Sequence, residues 1–149
     1  MASGTHVWLL LMKAHHSLER HAVRSIEALD MCFSDFAVLE LLLHKGPQPV
    51  NTIGRRVDLT SGSITTAIDR LAARGLVVRG LDPEDRRARI VSLTKSGTAR
   101  IREAFGQHAR AMDRAASGLT KVERDALAKL LKKLGTTADQ KKEEDHVSS

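Results

Sequence analysis

The stretch "LTSGSITTAIDRLAARGLVVRGLDPEDRRARIVSLTKSG", residues 59–97, changes its hydrophobic spacing halfway along. In the first half, Ile64, Ile68 and Leu71 follow the i, i+4, i+7 spacing of one helix face, which predicts a helix over 61–74. In the second half, the short runs "LVVRGL" and "RIVSLT" are rich in Val, Ile and Leu, which is typical of strands. A helix followed directly by a β-hairpin is therefore the starting point for the rest of the fold.

The loop of this hairpin is strongly charged. It carries three acidic and three basic residues in order: Asp82, Glu84, Asp85, Arg86, Arg87 and Arg89. A tight two-residue turn is not expected, because the loop contains neither Asn-Gly nor Asp-Gly. We expect a longer loop that Pro83 stiffens.

The residues before this stretch have helical spacing. Apolar side chains recur at three- and four-residue steps over residues 5–30 and predict a long first helix. A second helix, apolar nearly all round, should begin near Ser34 as its N-cap and end at Gly46. A short third helix is expected over about 50–57, so that it and the helix over 61–74 form a helix-turn-helix.

Helix returns after the hairpin. One helix is predicted over about 95–117, and the next begins at a capping box formed by Thr120 and Glu123. Gly135 should end that helix. Residues 136–149 contain almost no apolar side chains, and we expect them to form a disordered tail.

The order of elements is thus helix, helix, helix-turn-helix, hairpin, helix and helix. It predicts a mainly α protein with a small β-hairpin (α+β), that is, one winged helix-turn-helix domain over residues 1–149 with flanking helices. The low aromatic content of 3% implies a core built from Leu, Val, Ile and Ala.

The charge of the chain points to a polyanionic partner. There are 24 Lys and Arg residues against 18 Asp and Glu, which gives a net charge of +6. Residues 50–100 hold ten of the basic and five of the acidic residues, so five of the six excess positive charges lie in about a third of the chain. Such a local excess favours nucleic acid as the partner, although a solvated basic surface is the alternative.

In a helix-turn-helix, the exposed N-terminal part of the second helix contacts base edges in the major groove. Here the candidate residues are small hydroxyl residues with a glycine, followed one turn later by an arginine: Ser61, Gly62, Ser63, Thr65, Thr66 and Arg70. The alternative is that these residues only cap a surface helix.

Three motifs resemble the MarR family of bacterial transcriptional regulators. They are "RLAARGLVVR" at residues 70–79, "DPEDRR" at 82–87 and "VSLTKSG" at 91–97. The resemblance implies a DNA-binding transcription factor, usually a repressor. We expect no enzymatic activity and no cofactor. The resemblance also implies a homodimer in which residues 5–30 and 95–134 form the dimerisation helices and 34–94 the winged region.

The resemblance assigns roles within the wing and at the operator. Two recognition helices should enter successive major grooves of a pseudo-palindrome, about 34–36 Å apart. At the wing tip, Asp85 is expected to hold the guanidinium of Arg87 as it enters the minor groove. Arg86 and Arg89 should contact phosphate or pair locally, with a solvated charge cluster as the alternative. We also expect Thr52 to contact the DNA backbone.

Two kinds of signal could control such a regulator. The resemblance implies either a small aromatic anion or oxidation of a cysteine. Trp8 could stack on an aromatic effector, although packing in the core or the dimer is the alternative, and Cys32 could be redox-active or buried and inert. No set of histidine, cysteine and carboxylate residues has clear metal-ligand spacing, so no metal is expected.

The remaining features concern compartment and competing functions. The single cysteine excludes an intrachain disulfide, and the run "VWLLLM" is too short for a membrane span, so we expect a cytoplasmic protein without membrane contact. No nucleophile–base pair or phosphate-binding glycine loop supports an enzyme. A winged-helix module for protein–protein interaction is the competing function.

Overall fold

A computed structural model of the chain describes residues 1–85, 87 and 89–147. Over these residues the helices are α1 (Gly4–Glu27), α2 (Phe33–Lys45), α3 (Val50–Arg56), α4 (Ser61–Ala73), α5 (Lys95–Ala115) and α6 (Lys121–Val147). The strands are β1 (Gln48–Pro49), β2 (Val77–Leu81) and β3 (Arg89–Leu93). This order confirms the predicted mainly α fold with a small β-hairpin.

The three strands form one antiparallel sheet in the order β1-β3-β2. In the hairpin, Val77 pairs with Leu93 and Leu81 pairs with Arg89. The strand β1 was not predicted; it pairs Gln48 with Val91 on the other side of β3. A strand of two residues is too short to show the alternating apolar pattern of a strand, so the sequence gives no signal for it. Pro49 is tolerated in β1 because β1 is an edge strand.

The chain divides into two compact units, Met1–Met112 and Asp113–Ser149. The core lies in the first unit, around α2, whose apolar side chains are buried on several faces as its sequence predicted. Ile64, Ile68 and Leu71 of α4 lie in this core, and so does Val91 of the wing, while Leu93 packs against it from a partly buried position. Burial of these side chains fixes α4 and the wing on one scaffold.

Several helix ends agree with the capping residues predicted from the sequence. The hydroxyl of Thr60 accepts the backbone N–H of Ser63 at 3.2 Å and caps α4, and Gly75 adopts a positive φ of 72° just after that helix. The capping box of α6 is also confirmed, because Thr120 and Glu123 exchange backbone-to-side-chain hydrogen bonds of 2.7 and 3.2 Å.

Other helix ends differ from the sequence prediction. The first helix ends at Glu27 instead of near residue 30, and Cys32 instead of Ser34 occupies the N-cap position of α2. The prediction that α6 stops at Gly135 and that a disordered tail follows is wrong, because the helix continues to Val147. A glycine costs a helix only about 1 kcal/mol relative to alanine. The residues that follow include strong helix formers and an ion pair between Lys141 and Glu144.

Over the described part of the chain, no helix combines the length and the apolar character needed to cross a membrane.

Candidate nucleic-acid interface

The start of α4 presents the predicted hydroxyl residues to the outside. All six candidate positions on this helix are exposed: Ser61, Gly62, Ser63, Thr65, Thr66 and Arg70. The opposite face of the helix is buried in the core. Because the two sets alternate at helical spacing, burial of the apolar face determines which side of α4 is available to a partner.

Hydrogen bonds within α4 orient its threonine hydroxyls. Thr65 donates to the carbonyl of Ser61 at 2.9 Å, and Thr66 donates to the carbonyl of Gly62 at 3.0 Å. With its proton used in this way, each hydroxyl offers an oxygen that accepts hydrogen bonds. Adenine and cytosine display amino donors in the major groove, which is the matching chemistry.

The turn between α3 and α4 allows the two helices to pack closely. A Cβ added at Gly54 of α3 would lie 3.3 Å from a side-chain carbon of Ile64 and 3.3 Å from the carbonyl oxygen of Leu59. Asp58 in this turn has a positive φ of 57°. On α3, Thr52 is half-buried and its hydroxyl accepts a 3.4 Å hydrogen bond from Arg55. Thr52, which is predicted to contact the DNA backbone, therefore lies beside a basic side chain.

Two carboxylates near the wing tip accept backbone N–H groups. Asp82 accepts from Glu84 at 2.9 Å, and Asp85 accepts from Arg87 at 3.0 Å. The expectation that Asp85 holds the guanidinium of Arg87 in the minor groove stays a prediction; in the free chain this carboxylate accepts the backbone N–H of Arg87. Arg86, which was also predicted to contact DNA, lies outside the described residues.

The wing and α4 face one another across an open cleft. This cleft has a volume of about 520 Å³ and is lined by residues from α3, α4 and the wing, among them Asn51, Arg55, Ser61, Thr65, Arg87 and Arg89. The structure thus brings together four of the residues that the sequence predicted to contact DNA. Two hydroxyl residues come from α4, and two arginines come from the wing.

Arg70 has a different environment from the one predicted. Its guanidinium forms hydrogen bonds to both carboxylate oxygens of Asp35 on α2, with N–O distances between 2.5 and 3.1 Å. These hydrogen bonds raise the pKa of the Arg70 guanidinium above its ordinary value. No signal in the sequence identified Asp35, because the two residues are 35 positions apart.

A second ion pair connects α4 to the wing. Arg79 of β2 donates to the carboxylate of Asp69 on α4. Neither residue was predicted to contribute to the site, although Arg79 ends the motif at residues 70–79. The pair links the wing to α4, two of the elements that contribute residues to the cleft.

The candidate sensing residues are both accessible. Cys32 is exposed, so the expectation of a buried thiol is wrong; its sulfur lies 3.3 Å from the hydroxyl of Ser34. Trp8 is 58% exposed on α1, which excludes a place in the core of this chain. Within the described residues, no group of three or more histidine, cysteine or carboxylate side chains could hold a metal ion.

Each of the two units also exposes large apolar side chains on a helix. On α1 these are Val7, Trp8, Leu9, Leu10, Leu11, Met12 and Leu18; on α6 they are Val122, Leu127, Leu130, Leu131 and Leu134. So many exposed large apolar side chains are unusual for a monomer and are typical of an interface.

Comparison with known proteins places these features in a family. Residues 29–88 match the model of the MarR family. The chain is 35% identical over 134 residues to the HTH-type transcriptional regulator MhqR of Bacillus subtilis, covering 90% of this chain and 92% of the relative. It is 38% identical over 129 residues to the uncharacterized HTH-type transcriptional regulator YkoM of the same organism, covering 87% and 84% of the two chains.

The fold is also similar to solved structures. One is BpsR of Bordetella bronchiseptica, whose structure concerns the regulation of its DNA binding by 6-hydroxynicotinic acid. It superposes with a TM-score of 0.74 at 27% identity, over 87% of this chain and 92% of that one.

Proposed function

Because the chain belongs to the MarR family of transcriptional regulators, we propose that it is a homodimeric repressor of a pseudo-palindromic operator. In this proposal four hydroxyl residues of α4 contact base edges in the major groove: Ser61, Ser63, Thr65 and Thr66. Gly62 allows the protein backbone to approach the DNA closely. Arg87 of the wing enters the adjacent minor groove, and Arg89 and Thr52 contact the sugar-phosphate backbone of the DNA. The cleft that joins α4 to the wing is the observation that carries the proposal.

The chemistry of the cleft supports DNA over a protein partner. Its basic side chains are suited to phosphates, and the hydroxyl oxygen of Thr65 is suited to a base amino group. A recognition helix and a wing on one rigid scaffold can contact a major groove and the neighbouring minor groove together. The hydrogen bond from the backbone N–H of Arg87 to Asp85 restrains Arg87 before binding, which reduces the entropy lost when its side chain enters the groove.

Selection from a random library of duplexes tests this function directly. We expect enrichment of a pseudo-palindrome whose half-sites are centred about one helical turn apart. Binding of the selected duplex should weaken steeply as salt increases, because phosphate contacts release counterions. Absence of enrichment, together with a flat salt dependence, would instead identify a protein-interaction module.

The homodimer is proposed to form through the apolar faces of α1 and α6. The 64% exposure of Leu130 and the 58% exposure of Trp8 support this, since burial would remove both from water. Light scattering of the full chain should give twice the mass of 16.3 kDa. Leu130→Glu should shift the chain toward monomer, whereas Lys129→Glu, a neighbouring substitution at an exposed charged position, should leave the dimer intact.

Release by a signal completes the proposal. A small aromatic anion near Trp8, or an oxidant acting on the exposed Cys32, would lower operator affinity. Titration of the selected complex with 6-hydroxynicotinic acid and with peroxide separates the two routes. Since Trp8 is the single tryptophan, its fluorescence reports binding of an aromatic molecule directly. Peroxide release that survives Cys32→Ser would exclude the thiol route.

A further inference from the structure

A buried carboxylate joins the recognition helix to the centre of the domain. In the described part of the chain, Asp35 is the one charged residue in the buried set, and its side chain is 3% exposed. It lies in the first turn of α2, where the helix dipole favours a negative charge. Its partner Arg70 reaches it from α4, with a side chain that is 43% exposed.

The contact between the two side chains is a rigid fork. The Arg70 Nε atom lies 3.1 and 3.0 Å from the two carboxylate oxygens of Asp35, and its Nη2 atom lies 2.5 Å from one of them. Nη2 also lies 3.5 Å from the hydroxyl of Ser34 and 3.5 Å from the sulfur of Cys32. A planar guanidinium held at several points has little freedom to rotate.

This fork lies on the same side of α4 as two of the proposed base-reading residues. Ser63, Thr66 and Arg70 are spaced three and four residues apart and therefore share one helix face. They line one shallow hollow together with Ser34 of α2. Holding Arg70 against α2 therefore adds a second restraint, beside the buried apolar face, on the rotation of α4 about its own axis and on the direction in which Ser63 and Thr66 point.

We propose that Asp35 is a positioning residue for DNA recognition, which acts through Arg70 to set the angle at which α4 presents Ser63 and Thr66 to the major groove. The inference rests on the proposed DNA binding. It reassigns Arg70 from a residue that reads DNA to one that orients the helix. The positive charge of Arg70 is balanced by Asp35, so it contributes little to counterion release.

The first test measures binding of Asp35→Asn to the duplex selected by the wild-type chain and to a random duplex of equal length. The substitution removes a negative charge, so electrostatics alone would tighten binding to both duplexes. Positioning predicts the opposite for the selected duplex. Its affinity should fall roughly tenfold or more, the scale of one lost base contact. Affinity for the random duplex should stay within about twofold. Asp125→Asn makes the same charge change at an exposed position of α6 and should behave like the wild type.

The second test separates positioning from direct contact by Arg70. If Arg70 touches phosphate, Arg70→Gln should reduce the slope of log affinity against log salt by about one. Positioning predicts a loss of specific affinity with an unchanged slope. It also predicts that the double variant Asp35→Asn/Arg70→Gln loses no more than either single variant, because both changes break the same fork. The double variant also leaves no buried charge without a partner. It should therefore fold even if a single variant does not.

The outcomes divide clearly. Specific loss with a constant salt slope and a non-additive double variant supports the inference. Unchanged or tighter specific binding by the double variant, additive losses, or equal losses on both duplexes overturn it. Failure of the wild-type chain to select any duplex overturns the proposed function and this inference with it, whereas selection by the wild type with unaffected variants overturns this inference alone.

Discussion

Replacing Gly97 with alanine tests how closely α5 packs against the start of the wing. A Cβ at this position would lie 1.9 Å from the carbonyl oxygen of Leu76, 2.8 Å from its carbonyl carbon and 3.1 Å from its Cα. All three are backbone atoms, so no change of rotamer relieves the overlap. Leu76 directly precedes β2, and its carbonyl accepts the backbone N–H of Thr94 at 3.1 Å.

The expected cost follows from this geometry. Ordinary contact of a Cβ begins near 3.4 Å, so the new carbon and the Leu76 oxygen must separate by 1.5 Å, from 1.9 to 3.4 Å. Overpacking of this kind costs about 1–3 kcal/mol, and loss of the hydrogen bond from Thr94 adds about 1 kcal/mol. The better helix propensity of alanine offsets about 1 kcal/mol of this loss of stability. Gly97→Ala should therefore lower the free energy of unfolding by about 1–3 kcal/mol.

Urea denaturation followed by circular dichroism, at one protein concentration, measures this difference. Gly106→Ala is the matched control, because it makes the same substitution in the same helix. At that position the nearest atom to the added carbon is the end of the Arg110 side chain at 3.8 Å. The control should be as stable as the wild type or more stable by up to about 1 kcal/mol. Equal stability of Gly97→Ala and Gly106→Ala would show that the contact with Leu76 is not as close as described.

Three further predictions concern the wing, the recognition helix and pH. Arg87→Ala should weaken binding of the selected duplex by about 1–3 kcal/mol in fluorescence anisotropy at fixed salt, whereas Arg102→Ala, at an exposed position on α5, should not; equal effects would remove Arg87 from the minor groove. Thr60→Ala removes the N-cap of α4 and should cost about 1 kcal/mol in urea denaturation, and an unchanged midpoint would contradict the role of that hydroxyl. Burial lowers the pKa of His108 below its ordinary value of 6.5, so the unfolded chain takes up the proton more readily and stability falls as pH falls through that value. His108→Gln should therefore lose less stability than the wild type between about pH 7.5 and 5.5, and an identical loss in both would show that His108 does not contribute.

The elements that were predicted correctly are those with strong local signals. The helix over residues 61–74 and the hairpin after it depend on periodicity and on caps a few residues away, such as Thr60 and Gly75. Sequence spacing was enough to place Ser61 and Thr65 on the exposed face, since the apolar side of α4 must be buried. Local signals were weaker at the end of α6, where Gly135 suggested a stop although the residues beyond it favour helix.

The sequence by itself determined the class of fold and the outward face of the recognition helix, because hydrophobic spacing and helix capping act between residues close together in the chain. Only the tertiary structure decided which partner each charged side chain takes. Arg70 binds Asp35 across 35 positions, and Asp69 of α4 pairs with Arg79 of the wing. Several carboxylates and arginines are chemically equivalent in the sequence, and distance in the folded chain selects among them, because both the charge interaction and the hydrogen bond require close approach.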